Sequence, residues 1–312
     1  MKHYLSIKDI DSLPNWVSEA RALKTNPTAH NTLGAGKTIC LLFFNNSLRT
    51  RLSTQKAAIN LGMDVMIMNF GSEGWQLEFE DGAIMNQGKS EHIKEAASVV
   101  SQFCDIVAIR AFASLTDKEK DEAELVLSGF VKHATIPVVN MESSVGHPLQ
   151  ALADAITLHE HTANEKPKVV LSWAPHPKAL PHAVANSFIE MMQQIDAEFI
   201  ITHPKGYELN TEITKNTKIE YDQEKALKDA DFVYVKNWSS YTDYGQVLHQ
   251  DSKWMMTAKK LDKAKFMHCL PVRRNVVVAD VILDGKQSLV IEQANNRTFA
   301  AQIVLKKILE QN

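Results

Sequence analysis

Short apolar runs that alternate with amphipathic segments are the feature of this sequence that most restricts its fold. The predicted strands are residues 38–44, 64–69, 105–110, 137–141, 168–173, 198–202, 232–236 and 266–270. The predicted helices are residues 49–61, 91–103, 117–132, 148–161, 182–195, 223–229 and about 298–309. Strands that alternate with helices form parallel sheets covered on both faces. The sequence therefore predicts the α/β class, with two doubly wound parallel-sheet domains.

The chain has 312 residues, which is enough for two domains of ordinary size. A formal net charge of -3 argues against a broad nucleic-acid-binding surface, and no apolar run has the length of a membrane span. The three cysteines lack the spacing of a zinc site, and the polar start does not resemble a signal peptide. We therefore expect a cytoplasmic globular protein that binds neither nucleic acid nor membrane.

A predicted strand passes directly into a predicted helix around Ser47, which occupies the N-cap position. Such a junction directs free backbone N–H groups and the positive end of the helix dipole at one point. Arg49, Thr50 and Arg51 add two guanidinium groups and a hydroxyl there. The stretch predicts a phosphate-binding site, although a capped surface helix with solvated arginines is also compatible with it.

Further polar groups come at the predicted carboxyl ends of strands, where open α/β sheets bind ligands. They are Arg110, the stretch His147-Pro148-Leu149-Gln150 and the stretch His268-Cys269-Leu270-Pro271. Taken singly, Arg110 could form a surface ion pair, His147 could cap a helix, and Cys269 could fill core space. Only the set as a whole indicates a function.

The sequence does not support either of two common nucleotide-binding motifs, because each must follow a strand. The stretch 34–38 ends like a P-loop, but Asn31 occupies the position of the first glycine and the stretch precedes a strand instead of following one. No Gly-x-Gly-x-x-Gly pattern follows a predicted strand, which argues against a dinucleotide-dependent oxidoreductase.

Three motifs resemble those of the aspartate/ornithine carbamoyltransferase family, in family order and spacing. They are Ser47-Leu48-Arg49-Thr50-Arg51, His147-Pro148-Leu149-Gln150 and His268-Cys269-Leu270-Pro271. The resemblance covers nearly the whole chain. It implies a carbamoyl-phosphate-binding domain at 1–147, an amino-substrate domain at 148–297, and a C-terminal helix, about 298–312, that packs on the first domain. It also implies a homotrimer with shared active sites and a reaction that requires no metal or other cofactor.

The resemblance also assigns roles to residues. Carbamoyl phosphate would be bound by Ser47, Leu48, Arg49, Thr50, Trp75, Arg110, His147, Gln150, Cys269, Leu270 and Arg297. The catalytic residues among these would be Arg49, Thr50, Arg110, His147 and Cys269, and Trp75 would come from the neighbouring subunit. Cys269 and Leu270 would act through backbone carbonyls, so Cys269 is not expected to be a nucleophile. A neutral amine would attack the carbamoyl carbon, and catalysis would rest on positioning and electrostatics.

The expected amino-substrate site departs from that of ordinary ornithine carbamoyltransferases. Those enzymes carry Asp-x-Trp-x-Ser-Met-Gly, and the aspartate pairs with the α-ammonium group of ornithine. In this sequence Lys236 stands at the position of that aspartate. A lysine repels an ammonium group and attracts a carboxylate, so the change favours an N-acylated ornithine. Glu142, His176 and Arg273 also match the substrate positions of the acylornithine branch.

The acyl group depends on Ser90, which precedes Glu91-His92. Acetyl-specific members of the branch have glutamate at this position and succinyl-type members have proline, so Ser90 matches neither. A glutamate would repel the distal carboxylate of a succinyl group, whereas serine can donate a hydrogen bond. His176 and Lys178 add possible cationic partners, and the rest of the chain resembles the succinyl-type members of Bacteroides.

We therefore expect carbamoyl transfer to N-succinylornithine in arginine biosynthesis. N-acetylornithine is the alternative substrate. A non-catalytic, metabolite-binding member of the family is a third possibility, and the presence of Arg49, Arg110, His147 and Cys269 argues against it.

Overall fold

The computed structural model describes residues 2–311. Two compact units form within this range, each with its own sheet. The first unit consists of residues 2–114, 118–149 and 297–311, and the second of residues 115–117 and 150–296. Each unit has parallel strands and helices, which confirms the predicted α/β class.

Six strands belong to the first unit. They are β1 Thr38–Phe43, β2 Asp64–Asn69, β3 Leu77–Glu78, β4 Glu91–His92, β5 Ile106–Arg110 and β6 Val138–Glu142. Four of them form a parallel sheet in the order β2-β1-β5-β6, and β3 pairs with β4 separately. Tyr4 adds a parallel bridge to Val139 at the β6 edge. Because β1 and β5 are central, Phe43 and Arg110 end side by side at the carboxyl edge of this sheet.

The second unit has five strands. They are β7 Lys168–Trp173, β8 Glu198–Thr202, β9 Lys218–Ile219, β10 Phe232–Lys236 and β11 Lys265–Met267. They form one parallel sheet in the order β11-β10-β7-β8-β9. Its strands β7 and β10 are almost entirely buried, as expected for the centre of a sheet with helices on both faces. Lys236 pairs with Trp173 at the carboxyl ends of these strands.

The helices lie before, between and after these strands. They are α1 Leu13–Thr25, α2 Leu48–Asn60, α3 Ile93–Phe103, α4 Lys118–Ala123, α5 Leu125–His133, α6 Pro148–His161, α7 Ala183–Met192, α8 Thr211–Thr214, α9 Gln223–Leu227, α10 Ala258–Leu261, α11 Asp280–Leu283 and α12 Val290–Leu309. Short 3-10 helices occur at Ile7–Asp9 and Ser252–Trp254. Within residues 2–311, no helix is both long enough and apolar enough to pass through a bilayer.

Most predicted strands and helices occur within three residues of their expected bounds, but three predictions are wrong in detail. The helix expected at 117–132 is divided into α4 and α5, because Glu124 has a left-handed φ of 47°. The strand expected at 266–270 ends at Met267, and Leu270 beyond it has a φ of 56°. The last helix begins at Val290, well before the expected start at 298.

Candidate active site

The first turn of α2 has the features that favour anion binding. Ser47 has an extended backbone, with φ of -152° and ψ of 130°, and its hydroxyl accepts a hydrogen bond from the Thr50 N–H. This cap fixes the start of the helix, so the remaining N–H groups of the first turn point outward along the helix axis. Arg49 Nε is buried and has no hydrogen-bond partner among residues 2–311. The adjacent Leu48 side chain is 67% exposed.

A continuous series of polar contacts joins the other predicted phosphate residues of the first unit. Arg297 Nη2 donates to Thr50 Oγ1 at 2.6 Å and lies 3.3 Å from His147 Nε2. His147 Nε2 is 3.4 Å from Glu142 Oε2, and the same carboxylate oxygen accepts a hydrogen bond from Arg110 Nε at 3.1 Å. These five side chains are all buried. They come from α2, α12, β5, β6 and the turn before α6, so the fold brings together what the sequence separates.

Positive charge dominates this cluster. Burial lowers the pKa of Arg110, while the charge of Glu142 opposes that shift and Arg49 adds to it. Arg110 Nη1 also donates to the carbonyls of Asn45 and Asn46, each at 2.8 Å, which holds the loop before Ser47. Since an arginine stays protonated in proteins, the guanidinium groups of Arg49, Arg110 and Arg297 outnumber the Glu142 carboxylate. A dianion would balance this charge.

Trp75 and Ser90 lie together on a separate loop of the first unit. The Ser90 N–H donates to the carbonyl of Gln76, beside the pairing of β3 with β4. Trp75 Nε1 donates to Glu91 Oε2 at 2.8 Å, and the Trp75 side chain is 53% exposed. The loop therefore presents an aromatic ring and a serine side chain close to each other on an exposed surface.

His176, Lys236 and Arg273 form a cationic group in the second unit. Arg273 Nε donates to His176 Nε2 at 3.0 Å, and His176 Nδ1 contacts both the carbonyl of Lys178 at 2.8 Å and its N–H at 3.1 Å. Burial lowers the pKa of His176, and the positive charges of Arg273, Lys236 and Lys178 lower it further. The imidazole is therefore neutral near pH 7, while three cations surround it. Such a group is suited to carboxylates.

Gln150, Cys269 and Leu270 also belong to the second unit. Gln150 lies in the first turn of α6 and is 1% exposed, and its Nε2 donates to Asp154 Oδ1 at 2.7 Å. Cys269 is buried in the turn after β11. In that turn the Leu270 N–H donates to His268 Nδ1 at 2.9 Å, and the Leu270–Pro271 peptide is cis. Cys269 is thus buried, whereas Leu270 is partly exposed.

Sequence reasoning missed three buried residues of the second unit that contact these groups: Asp154, Tyr234 and Gln293. Asp154 accepts hydrogen bonds from Gln150 and Gln293, and Tyr234 lies beside Asp154 and Cys269. A local signal existed only for Asp154, which follows Gln150 by four residues on the same helix face.

Comparison with known proteins identifies the family. Residues 2–160 match the carbamoyl-phosphate-binding domain of aspartate/ornithine carbamoyltransferases, and residues 181–308 match their aspartate/ornithine-binding domain. The chain belongs to the aspartate/ornithine carbamoyltransferase family. The family expectation drawn from the three motifs is therefore confirmed.

Among curated carbamoyltransferases, the N-succinylornithine carbamoyltransferases of Bacteroides fragilis and Bacteroides thetaiotaomicron are each 46% identical to this chain. In both cases the match covers 99% of this chain and 99% of the relative. The N-acetylornithine carbamoyltransferase of Xylella fastidiosa is 33% identical, over 100% of this chain and 99% of the relative.

Solved carbamoyltransferase structures share the fold over the full length. The structure of acetylornithine transcarbamylase with acetylcitrulline has a TM-score of 0.93 at 31% identity, and the match covers 99% of each chain. A glutamate-to-alanine mutant of N-acetyl-L-ornithine transcarbamylase, complexed with carbamyl phosphate and N-succinyl-L-norvaline, also has a TM-score of 0.93. It is 30% identical, over 99% of this chain and 100% of that one. This carbamoyltransferase therefore has the fold of the acylornithine enzymes.

Proposed function

We propose that this carbamoyltransferase transfers the carbamoyl group of carbamoyl phosphate to the δ-amine of N-succinyl-L-ornithine. The products are N-succinyl-L-citrulline and phosphate, and the reaction serves arginine biosynthesis. The observation that carries the proposal is the presence of two cationic clusters. The cluster of the first unit is suited to a dianion, and the cluster of the second unit is suited to a carboxylate. The 46% full-length identity to two N-succinylornithine carbamoyltransferases supports it.

In this proposal the first unit binds carbamoyl phosphate. The N-terminus of α2 and the unpartnered Nε of Arg49 bind the phosphate oxygens, because both offer N–H donors and positive charge to an anion. Thr50, Arg110 and His147 stabilise the carbamoyl oxygen, and Arg297 holds Thr50 in place through its 2.6 Å contact. Glu142 orients Arg110 and His147 through a shared carboxylate oxygen.

The chemical step is an addition followed by an elimination. The lone pair of the neutral δ-amine attacks the carbamoyl carbon, and negative charge develops on the carbamoyl oxygen. The carbon–oxygen bond to phosphate then breaks, phosphate leaves with the bonding electrons, and the nitrogen loses one proton. Stabilisation of the developing oxyanion by preorganised donors is commonly the largest contribution to such a rate enhancement. Cys269 and Leu270 position the amine and the carbamoyl nitrogen through backbone carbonyls.

The second unit binds the N-acylated amino acid in this proposal. Lys236, Arg273 and Lys178 surround a neutral His176, and one carboxylate of the substrate would neutralise part of that charge. A free α-ammonium group, in contrast, would be repelled by Lys236. Acylation of the α-nitrogen removes its charge, so an N-acylornithine fits where plain ornithine does not.

Ser90 supports succinyl over acetyl as the acyl group. Its side chain is exposed next to Trp75, and a serine carries no charge that would repel the distal carboxylate of a succinyl group. Single-glutamate mutants of N-acetyl-L-ornithine transcarbamylase, with alanine, valine or proline in place of glutamate, were solved with N-succinyl-L-norvaline. We propose that Ser90 occupies the corresponding place in this chain and has the same permissive effect.

We further propose a homotrimer in which Trp75 closes over the ligand bound by a neighbouring subunit. An exposed apolar row on α2 supports an interface beside the phosphate site. Leu48, Leu52 and Ile59 are 67%, 57% and 52% exposed, at spacings that place them on one helix face. Exposed apolar surface of this kind is typical of protein–protein contacts.

Product formation with three amines in parallel tests the function. Purified protein is incubated with carbamoyl phosphate and with ornithine, N-acetylornithine or N-succinylornithine, and the ureido product is measured. We expect the highest kcat/KM with N-succinylornithine. A preference for N-acetylornithine would support the acetyl alternative, turnover of ornithine would contradict the role of Lys236, and no product with any amine would favour a metabolite-binding protein without catalysis.

A further inference from the structure

Asp154 is a buried carboxylate between two buried amide side chains of the second unit. Its side chain is 0% exposed and lies directly beside those of Gln150 and Gln293. Gln150 Nε2 and Gln293 Nε2 both donate to Asp154 Oδ1, each at 2.7 Å. The Tyr234 hydroxyl lies next to it, and burial together with the charge of Asp154 raises the pKa of Tyr234. Tyr234 therefore stays protonated as a potential donor to this carboxylate.

The chemistry of a carboxylate decides how the two amides are oriented. An ionised carboxylate only accepts hydrogen bonds, whereas each amide has one accepting and one donating end. Gln150 and Gln293 must therefore turn their NH2 groups toward Asp154. The opposite end of each amide, the carbonyl oxygen Oε1, is then presented away from Asp154. An asparagine at 154 would not impose this orientation, because its own amide can donate as well as accept.

The accepting end of Gln293 is already used within the protein. Gln293 Oε1 accepts a hydrogen bond from the His268 N–H at 3.0 Å, at the start of the turn that contains Cys269 and Leu270. His268 Nδ1 in turn accepts from the Leu270 N–H at 2.9 Å. Leu270 has a left-handed φ of 56°, a conformation that costs a leucine energy and must be held by its surroundings. Asp154 thus stabilises this turn through Gln293.

The accepting end of Gln150 is different. Gln150 Oε1 is buried and has no hydrogen-bond partner among residues 2–311. Buried polar atoms in native proteins are nearly always hydrogen-bonded, and each exception calls for an explanation, such as a water molecule, an ion or a ligand. Gln150 Oε1 is one of twelve such side-chain atoms among residues 2–311, and it belongs to the His147-Pro148-Leu149-Gln150 motif. Because Oε1 can only accept, the missing ligand group must be a donor. The NH2 group of a carbamoyl group is such a donor, and a methyl group in its place is not.

We propose that Asp154 is a positioning residue that orients Gln150 so that Gln150 Oε1 accepts a hydrogen bond from the NH2 of carbamoyl phosphate. This inference rests on the proposed function and extends it to selectivity. Asp154 allows the enzyme to reject acyl phosphates of the same shape that lack the N–H, of which acetyl phosphate is the simplest. Asp154 itself does not touch the substrate.

The test compares carbamoyl phosphate as substrate with acetyl phosphate as competitive inhibitor. The quantity measured is the ratio of the inhibition constant of acetyl phosphate to the KM of carbamoyl phosphate, with N-succinylornithine saturating. In Asp154→Asn we expect this ratio to fall by about tenfold, the effect of losing roughly one hydrogen bond. The inhibition constant of acetyl phosphate itself should change by less than about twofold, since acetyl phosphate never used that hydrogen bond.

A double-mutant cycle with Gln150→Ala separates selectivity from general damage. Gln150→Ala should lower the ratio by itself, and the addition of Asp154→Asn should then change it little. Asp121→Asn is the matched control, because Asp121 is also a buried aspartate and accepts hydrogen bonds from the N–H and the hydroxyl of Ser114. This control should lower stability without changing the ratio. Asp154→Ser is measured beside Asp154→Asn in case the asparagine variant does not fold.

The outcomes distinguish this inference from the proposed function. If the wild-type protein forms no ureido product, the proposed function fails and this inference fails with it. If the wild-type protein is active but the ratio is unchanged in the Asp154 variants, or unchanged in Gln150→Ala, only the inference is overturned. The inference would also be overturned if Asp154→Asn lowered the ratio equally in the wild-type and in the Gln150→Ala background. Asp154 would then act independently of Gln150.

Discussion

Two buried polar atoms, Arg49 Nε and Gln150 Oε1, carry much of the functional argument at the scale of single residues. Each lacks a hydrogen-bond partner among residues 2–311, and each belongs to a motif that the sequence had singled out. One is a cationic donor and the other a neutral acceptor. Carbamoyl phosphate offers the complement of each, an anionic phosphate and an NH2 group. The motifs predicted the residues, but only the fold determines which of their atoms have no protein partner and can bind a ligand.

The acyl preference can be tested at Ser90. In Ser90→Glu we expect kcat/KM for N-succinylornithine to fall at least about tenfold, and kcat/KM for N-acetylornithine to change little. Two like charges about 4 Å apart repel by about 1 kcal/mol in water and about 4 kcal/mol near a protein surface, and only the succinyl group brings a second carboxylate. Steady-state kinetics with both amines give the ratio directly.

Ser90→Gln is the matched control for that variant, because glutamine has nearly the size of glutamate and no charge. It should retain the preference for N-succinylornithine if charge is the cause. Equal loss with glutamine and glutamate would mean that size at this position, and not repulsion, decides the acyl group.

At the scale of elements, α2 combines a stabilising cap with a binding site. Ser47→Ala removes the side chain that accepts from the Thr50 N–H at 3.2 Å. We expect the free energy of unfolding to fall by about 1 kcal/mol, as for other N-cap substitutions. We also expect the KM of carbamoyl phosphate to rise about tenfold, since the first turn of α2 is less well ordered and a phosphate ligand is lost. Denaturant unfolding and steady-state kinetics measure the two effects.

Ser6→Ala provides a comparison within the same unit. Ser6 caps the short helix Ile7–Asp9, and its hydroxyl accepts from the Lys8 N–H at the same distance of 3.2 Å. Its removal should lower stability without affecting the KM of carbamoyl phosphate. A similar rise in KM for both variants would indicate that lost stability, and not the α2 site, explains the kinetics.

Most elements of both sheets could be predicted from the sequence because apolar runs such as β1, β7 and β10 are buried on both faces. The first turns of α12 could not, because the buried positions that follow Val290 there are polar. Gln293 and Asn296 are both fully buried and are paired with Asp154 and Thr157, which precede them by 139 residues. A search for apolar periodicity does not detect a helix face whose buried residues are satisfied by distant partners. The role of Asp154 was missed for the same reason.

At the scale of the whole molecule, Trp75 raises the question of how many chains make one active site. Its side chain is half exposed and hydrogen-bonded to Glu91 in β4, whereas Arg297 contacts Thr50 and His147, and Arg110 and His147 both contact Glu142. The family resemblance attributes Trp75 to the site of a neighbouring subunit. The exposed apolar residues of α2 provide a surface on which a second copy of this chain could pack.

Mixed oligomers test that arrangement. Arg49→Ala and Trp75→Ala should each abolish most activity, and co-expression of the two chains with different tags allows mixed trimers to be isolated. If every site combines Arg49 of one subunit with Trp75 of the next, each mixed cyclic trimer regains one intact site, about a third of its sites, because the two kinds of chain meet in the productive order once around the ring. If both residues serve a site within one chain, no site in the mixture is intact and activity stays at the level of the single variants. Activity per mole of verified mixed trimer, measured against wild type treated in the same way, decides between the two arrangements.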